Sequence, residues 1–331
     1  MKQRHAFVLQ RLALTLFSIF VIITLLFFLF RVLPGNPASQ VVSPRFSQAQ
    51  QEVLLAQYGL DEPLHVQYVL YLKAFAMGDL GTSFQHNTPV LPFLLDRTLN
   101  TIVITLPAVL LSFLIGPFLG ALFAWNRGKL VDNYGTALVL AAYAAPIFWT
   151  GMIAIMIFSF WLGWLPSSGM RGPTYVEESV IDRFASTEFL RHAILPMGIF
   201  FLWQLSLPVL IMRNNMIEVL QADFIGLKRA EGLSTRRIRY RHAMRNSMLP
   251  VVHYGALAIG FAFGGSVILE TVFSWPGLGR TMWRAVLTND YPVAQGAFLL
   301  LSVMIISFNF FADVVSVYLD PRVADEGRGE Q

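Results

Sequence analysis

Cysteine is absent from the 331 residues of this chain, which excludes disulfides, thiolate metal sites and cysteine nucleophiles. Charge is scarce. Asp, Glu, Lys and Arg make up only 13% of the residues, against about 25% in an average soluble domain. The motifs of self-powered chemistry are missing too: no Gly-x4-Gly-Lys-Ser/Thr phosphate loop, no His-Glu-x-x-His pair, no nucleophile elbow. The six histidines are scattered without ligand spacing; His242 and His253 read as interfacial rather than metal-binding. Neither a metal nor a cofactor is expected, and enzymatic activity is not. Work done by such a chain must be powered by a partner or a gradient.

What remains is hydrophobic. Apolar residues make up 55% of the chain and the mean hydropathy is +0.58. Six apolar runs stand out: Leu12–Phe30, Thr101–Trp125, Tyr134–Trp161, Ile194–Met212, Val251–Phe273 and Gly296–Tyr318. Each is long enough, at 1.5 Å per residue, to cross a hydrocarbon core of about 30 Å as a helix. None alternates like a barrel strand. The expected fold is therefore an all-α polytopic membrane protein with six transmembrane helices. The first run is longer than a signal-peptide core and is followed by Arg31-Val-Leu-Pro-Gly35 rather than a small-residue cleavage site, so it reads as a signal anchor.

Lysine and arginine set the expected orientation. With six spans both termini share a side, and that side holds 15 of the 24 Lys/Arg. Short loops rich in Lys and Arg resist translocation, so both termini are expected in the cytoplasm. The net charge of +4 belongs to these loops and supplies no soluble basic face for nucleic acid.

The spans hold almost no acidic groups. Asp313 is the one acidic residue within a span and Glu270 lies near the outer end of another. Gradient-driven transporters bury ionisable groups mid-membrane, so this scarcity weighs against the alternative of a secondary transporter or channel acting without an ATPase. Asp313 reads as a structural polar contact in preference to a proton relay, the alternative role for such a group.

The expected organisation is an anchor helix over residues 1–33, an extracytoplasmic insert over 34–100, a five-helix core over 101–320 and a cytoplasmic tail over 321–331. Within the insert, Gln48–Tyr58 and Val66–Met77 read as short helices between the turns Pro34–Pro37, Tyr58–Pro63 and Gly78–Gly81. Gly116-Pro117, Gly120, Ala145-Pro146, Pro196 and Pro208 soften the spans. Gly116 with Gly120, and Gly260 with Gly264, have the small-xxx-small spacing of close helix packing.

The densest positive charge lies between Arg213 and Pro250, with eight Lys/Arg and three Asp/Glu. Arg237, Arg241 and Arg245 recur every four residues, one stripe on a helix. On the plainer reading this stripe obeys the positive-inside rule and rests on lipid headgroups. Yet Gly232 permits a sharp bend between two short helices, and a bent helical pair suits docking into a groove on another protein.

Arg229-Ala-Glu-Gly-Leu233, His242-Ala-Met-Arg-Asn246 and Leu249-Pro250 resemble the loop of ABC-importer permeases. Further motifs resemble the dipeptide, oligopeptide and nickel class along nearly the whole chain. They are Arg31-Val-Leu-Pro-Gly-Asn-Pro37, Tyr58-Gly-Leu-Asp61, Gly78-Asp-Leu-Gly-Thr-Ser83, Pro146-Ile-Phe-Trp149, Phe273-Ser-Trp-Pro-Gly-Leu-Gly-Arg280, Asp290-Tyr-Pro292 and Asp320-Pro-Arg322. The family's Glu-Ala-Ala loop opening falls on Gly226-Leu227-Lys228, a departure.

The resemblance implies a type I importer-like permease bundle in the bacterial inner membrane. It implies a homologous second permease, two cytoplasmic ABC ATPase subunits, an extracytoplasmic solute-binding protein and surrounding membrane lipid as partners. It implies short peptides, or a nickel chelate or glutathione, as cargo. Ala222–Gly232 would then be the coupling helix, within a contact set of Asp223, Arg229, Ala230, Glu231, Gly232, Leu233, His242, Arg245, Asn246, Leu249 and Pro250. Trp275, Pro276, Gly277 and Gly279 would shape an outer turn near the landing place of the binding protein.

Overall fold

The computed structural model describes residues 2–32, 62–173, 175 and 180–319, and these form helices joined by turns and loops, with one isolated bridge between Thr82 and Pro89. Among the described residues five helical segments are long and apolar enough to cross a membrane: Ala6–Arg31, Val90–Trp125, Thr187–Val219, Leu249–Val272 and Tyr291–Val314. They lie in α1 (Lys2–Val32), α3 (Val90–Trp125), α7 (Thr187–Val219), the pair α10 (Leu249–Gly264) and α11 (Val267–Val272), and α13 (Tyr291–Leu319). The shorter α2 (Leu64–Ala76) falls where Val66–Met77 was expected. The expected helix Gln48–Tyr58, the motifs within 33–61 and the tail beyond Leu319 lie outside the described residues.

The third apolar run departs from a simple span. It divides into α4 (Leu130–Ala144) and α5 (Ile147–Ala154), bent by 99° at the break. The cause is local. Pro146 cannot donate to the helix ladder, and its ring drives the preceding residue out of the α region; Ala145 accordingly sits at φ −68°, ψ 128°. Beyond the break α5 widens into a π-helical stretch, Ile155–Trp161. Proline does not break every helix here, since Pro107 and Pro117 lie inside α3, and Pro196 and Pro208 inside α7.

The tightest packing joins α3 to α7. A Cβ on Gly116 would come within 2.7 Å of Pro208 Cγ, and one on Gly120 would overlap the carbonyl of Val209. Their spacing therefore serves backbone approach, which a methyl at either site would forbid. Around this pair, Ile104, Ala108, Phe200, Ala258, Leu269 and Trp275 close a core between α3, α7, α10 and α11. A second cluster of Leu26, Phe30, Leu94, Val293 and Ala297 attaches α1 to α3 and α13. Asp313, on α13, forms an ion pair with Arg11 of α1 at 3.4 Å, a contact between two helices.

Candidate functional site

At the basic end, the loop after α7 folds as two short helices. The first is α8 (Asp223–Ala230). Asp223 stands in its first turn, with Lys228 and Arg229 in its last, the arrangement that complements a helix dipole. Only Ile225 of α8 is buried, pressed into a cluster with Met212, Met216, Ile238 and Met244. The helix ends at Gly232, whose φ of +75° is open to glycine. Gly232 N–H donates to the Arg229 carbonyl at 3.0 Å and Leu233 N–H to the Lys228 carbonyl at 3.3 Å, the paired bonds of a Schellman stop. The segment Arg229-Ala-Glu-Gly-Leu233 is thus a helix terminus in physical terms. Glu231 is held back by Lys228 Nζ at 2.9 Å, and the Arg229 guanidinium lies 5.8 Å from the Trp125 ring.

The second helix, α9, runs through Thr235–Arg237, a π-helical Ile238–Ala243 and Met244–Asn246. The widened turns keep Ile238, Ala243 and Met244 against the bundle while Arg237, Arg241 and Arg245 remain exposed. His242 is half-buried, and its carbonyl accepts Asn246 Nδ2 at 2.8 Å. Leu249 and Pro250 open α10, where proline in the first turn lacks only an N–H with no partner in the helix. The loop is anchored at its start as well. Arg213 grips Asp132 of α4 through Nε at 2.6 Å and Nη2 at 2.9 Å. Gly128 N–H also donates to that carboxylate at 3.0 Å.

The turn that follows α11 is built around Glu270. This side chain is fully buried. It accepts Thr101 Oγ1 at 2.7 Å and Arg280 N–H at 2.7 Å. Thr101 Oγ1 in turn accepts Leu278 N–H at 2.8 Å. Trp275 is fully buried and donates Nε1–H to the Asn100 carbonyl at 2.6 Å, while Asn100 Nδ2 reaches the Pro276 carbonyl at 2.9 Å. A Cβ on Gly277 would stand 2.5 Å from Glu270 Cδ, so glycine is what allows the turn to close over the carboxylate; one on Gly279 would stand 3.0 Å from Val267 Cα. The turn leads into α12 (Leu278–Leu287). There burial, then the neighbouring Arg284 charge, lowers Arg280 from the ordinary guanidinium value.

The structure therefore gathers Trp275, Pro276, Gly277 and Gly279 with Glu270 into one turn. It places Asp223, Arg229, Ala230, Glu231, Gly232, Leu233, His242, Arg245 and Asn246 on one two-helix projection, with Leu249 and Pro250 at its foot. Phe224 and Leu227 were not singled out from sequence, yet α8 exposes them, at 36% and 58%. Their signal was the run Phe224-Ile-Gly-Leu227 between charged ends, more apolar residues than the one buried position, Ile225, accounts for. Asn100, Thr101 and the Asp132–Arg213 pair also escaped sequence reading, because their partners lie far away along the chain.

The described helices thus form a bundle of membrane-spanning length that carries a structured basic loop between two of its spans. The chain belongs to the family of binding-protein-dependent transport system inner membrane components: the family's own domain matches residues 112–325 and its N-terminal domain matches residues 4–110. It is similar to the di/tripeptide transport system permease protein DppB of Pseudomonas aeruginosa, with 36% identity over 96% of this chain and 98% of the relative. It is 32% identical to the dipeptide transport system permease protein DppB of Alkalihalophilus pseudofirmus, over 96% of this chain and 99% of the relative. The same identity and coverages hold for the oligopeptide transport system permease protein AppB of Bacillus subtilis. The chain is a multi-pass inner-membrane permease component of a binding-protein-dependent transport system.

Proposed function

We propose that this chain forms half of the translocation pathway of an ATP-driven importer of short peptides. A homologous second permease completes the pathway, two cytoplasmic ABC ATPase subunits drive it, and an extracytoplasmic binding protein delivers the cargo. Both termini and the 213–250 loop face the cytoplasm. The chain itself catalyses nothing; ATP hydrolysis belongs to the partner subunits. The observation that carries this reading is α8, which buries Ile225 alone and leaves Phe224, Leu227, Arg229 and Glu231 exposed on a short projecting helix. An exposed apolar pair beside charges is what a helix offers to a groove on a partner. The peptide cargo follows the names of the relatives described above.

In this reading ATP closes the ATPase pair and moves the docked α8. Rigid-body rocking of the bundles then switches access from outside to inside. The pair Arg213–Asp132 ties the loop's root to α4, and the Schellman stop sets the angle at which α8 projects. Residues 101–320 act as the moving core, 1–33 as an anchor, 34–100 as an insert facing the binding protein and 321–331 as a cytoplasmic tail. The outer turn around Glu270 forms part of the surface that meets the binding protein.

Affinity purification of the tagged chain in mild detergent, with mass spectrometry of what accompanies it, tests the reading. A second permease with ATPase subunits is the expected result. Purification as a lone homo-oligomer would overturn it.

A further inference from the structure

Between α9 and an exposed side of α3 lies an open cleft of about 500 Å³, lined by Phe118, Ser234, Arg236, Arg237, Tyr240 and Arg241. Three guanidiniums line it and no carboxylate does. Among the described residues, none of the three takes part in an ion pair. Three cations gathered around one space repel each other unless an anion joins them. Arginine is also the side chain best matched to a phosphate, through paired N–H donors.

The other wall points to where the anion comes from. The Phe118 ring lies 5.9 Å from the Tyr240 ring and closes the cleft on the span side. Phe118 ends an exposed apolar stripe on α3 that includes Leu111 and Leu114, at 41% and 62% exposure. The spacing of three and four residues keeps these side chains on one face. Trp125, seven residues further along α3, packs under Arg229 near the loop, and Phe118 lies roughly 10 Å from it along the helix, at 1.5 Å per residue. A cationic cleft continuous with an apolar stripe has the shape of one molecule: a phosphate joined to acyl chains.

We propose that this cleft binds an anionic glycerophospholipid of the inner leaflet, with its phosphate held by Arg236, Arg237 and Arg241 and its chains along Leu111, Leu114 and Phe118. Ser234 supplies a further hydroxyl donor beside the guanidiniums. The lipid would tie α9 to the membrane surface while α8 remains free to engage a partner. The proposal rests on the cytoplasmic placement of this loop, which cysteine labelling reads without any lipid measurement, so the two can fail separately.

The test uses the full chain with its copurifying subunits, titrated with palmitoyl-oleoyl phosphatidylglycerol or phosphatidylcholine and read by native mass spectrometry. Phosphatidylglycerol should bind in preference, and R236Q/R237Q/R241Q should weaken it by about tenfold or more, given three cations near the surface. R236K/R237K/R241K should retain most of the binding. Arg241→Gln alone, expected to lose about fivefold, serves if the triple change disturbs folding. A millimolar excess of glycerol 3-phosphate should leave the lipid bound; displacement would mean that a soluble phosphate ester is the occupant and would overturn the proposal. So would equal binding of the two lipids or unchanged phosphatidylglycerol binding in the glutamine variants. Loss of an ATPase subunit from those variants with lipid binding intact would assign the cleft to a protein partner.

Discussion

Ser83 donates its hydroxyl to the Asp290 carboxylate at 2.5 Å across 207 positions of sequence. The same carboxylate accepts Phe84 N–H at 3.1 Å and Gln85 N–H at 3.2 Å. The segment after α2 is thereby fastened to the turn between α12 and α13, and both partners are buried. Two motifs that stand far apart in the chain, Gly78–Ser83 and Asp290–Pro292, thus form one structural joint.

Removing that carboxylate should loosen the joint. Asp290→Ala leaves one hydroxyl and two backbone N–H groups without their acceptor, and should cost about 2–3 kcal/mol. Ser83→Ala removes a single donor and should cost about 1 kcal/mol. Thermal unfolding of the two variants in detergent gives the comparison. Equal midpoints for both would contradict the shared role of Asp290.

Gly277 and Glu270 should prove coupled. Gly277→Ala places a methyl against the carboxylate and should destabilise the chain by about 1–3 kcal/mol as overpacking. In a Glu270→Ala background the clash is gone, so the same change should cost less. A double-mutant cycle on unfolding midpoints measures the difference; strict additivity would show that the turn does not close on this side chain.

Gly232→Asp tests the coupling assignment. No atom lies within 4 Å of a Cβ built at Gly232, so the bundle should fold and insert as before. The positive φ strains any L-residue by roughly 1–2 kcal/mol, and the change in the helix stop should re-aim α8. ATP hydrolysis by the assembled complex should persist while peptide uptake falls. Wild-type uptake at normal expression would remove α8 from the coupling role.

Topology is checked by single cysteines in a chain that has none of its own. Substitutions within 126–133 and at exposed positions of 213–250 should react with a membrane-impermeant maleimide only from the cytoplasmic side. Reaction from outside in intact cells would invert the orientation.

Much of the architecture was open to reading along the chain, because it rests on local chemistry. A run such as Thr101–Trp125 declares its helix by length and apolar content alone. Gly232 announced its bend because a positive φ is a property of one residue. The break at Ala145–Pro146 was visible as a soft point, but its 99° angle was not, since proline is also carried within unbroken α3 and α7. Whether a proline bends a helix depends on what the neighbouring helices can hold in place. Asn100 and Thr101 gave no sign at all, as their meaning lies in Trp275, Pro276 and Glu270 on the other side of the bundle.

Hydropathy and the placement of Lys and Arg dictate a helical membrane protein with a basic loop between two spans. Water and hydrocarbon act on each segment independently of its neighbours. Tertiary structure alone decided that Glu270 sits enclosed by Thr101 and the Gly277 turn, that Asp132 holds Arg213, and that Asp290 holds Ser83. Each of these carboxylates is a polar residue in a sparsely charged chain, and sequence cannot say which distant donor meets it. Close packing of the helices makes those pairings, because burial without a partner would be too costly.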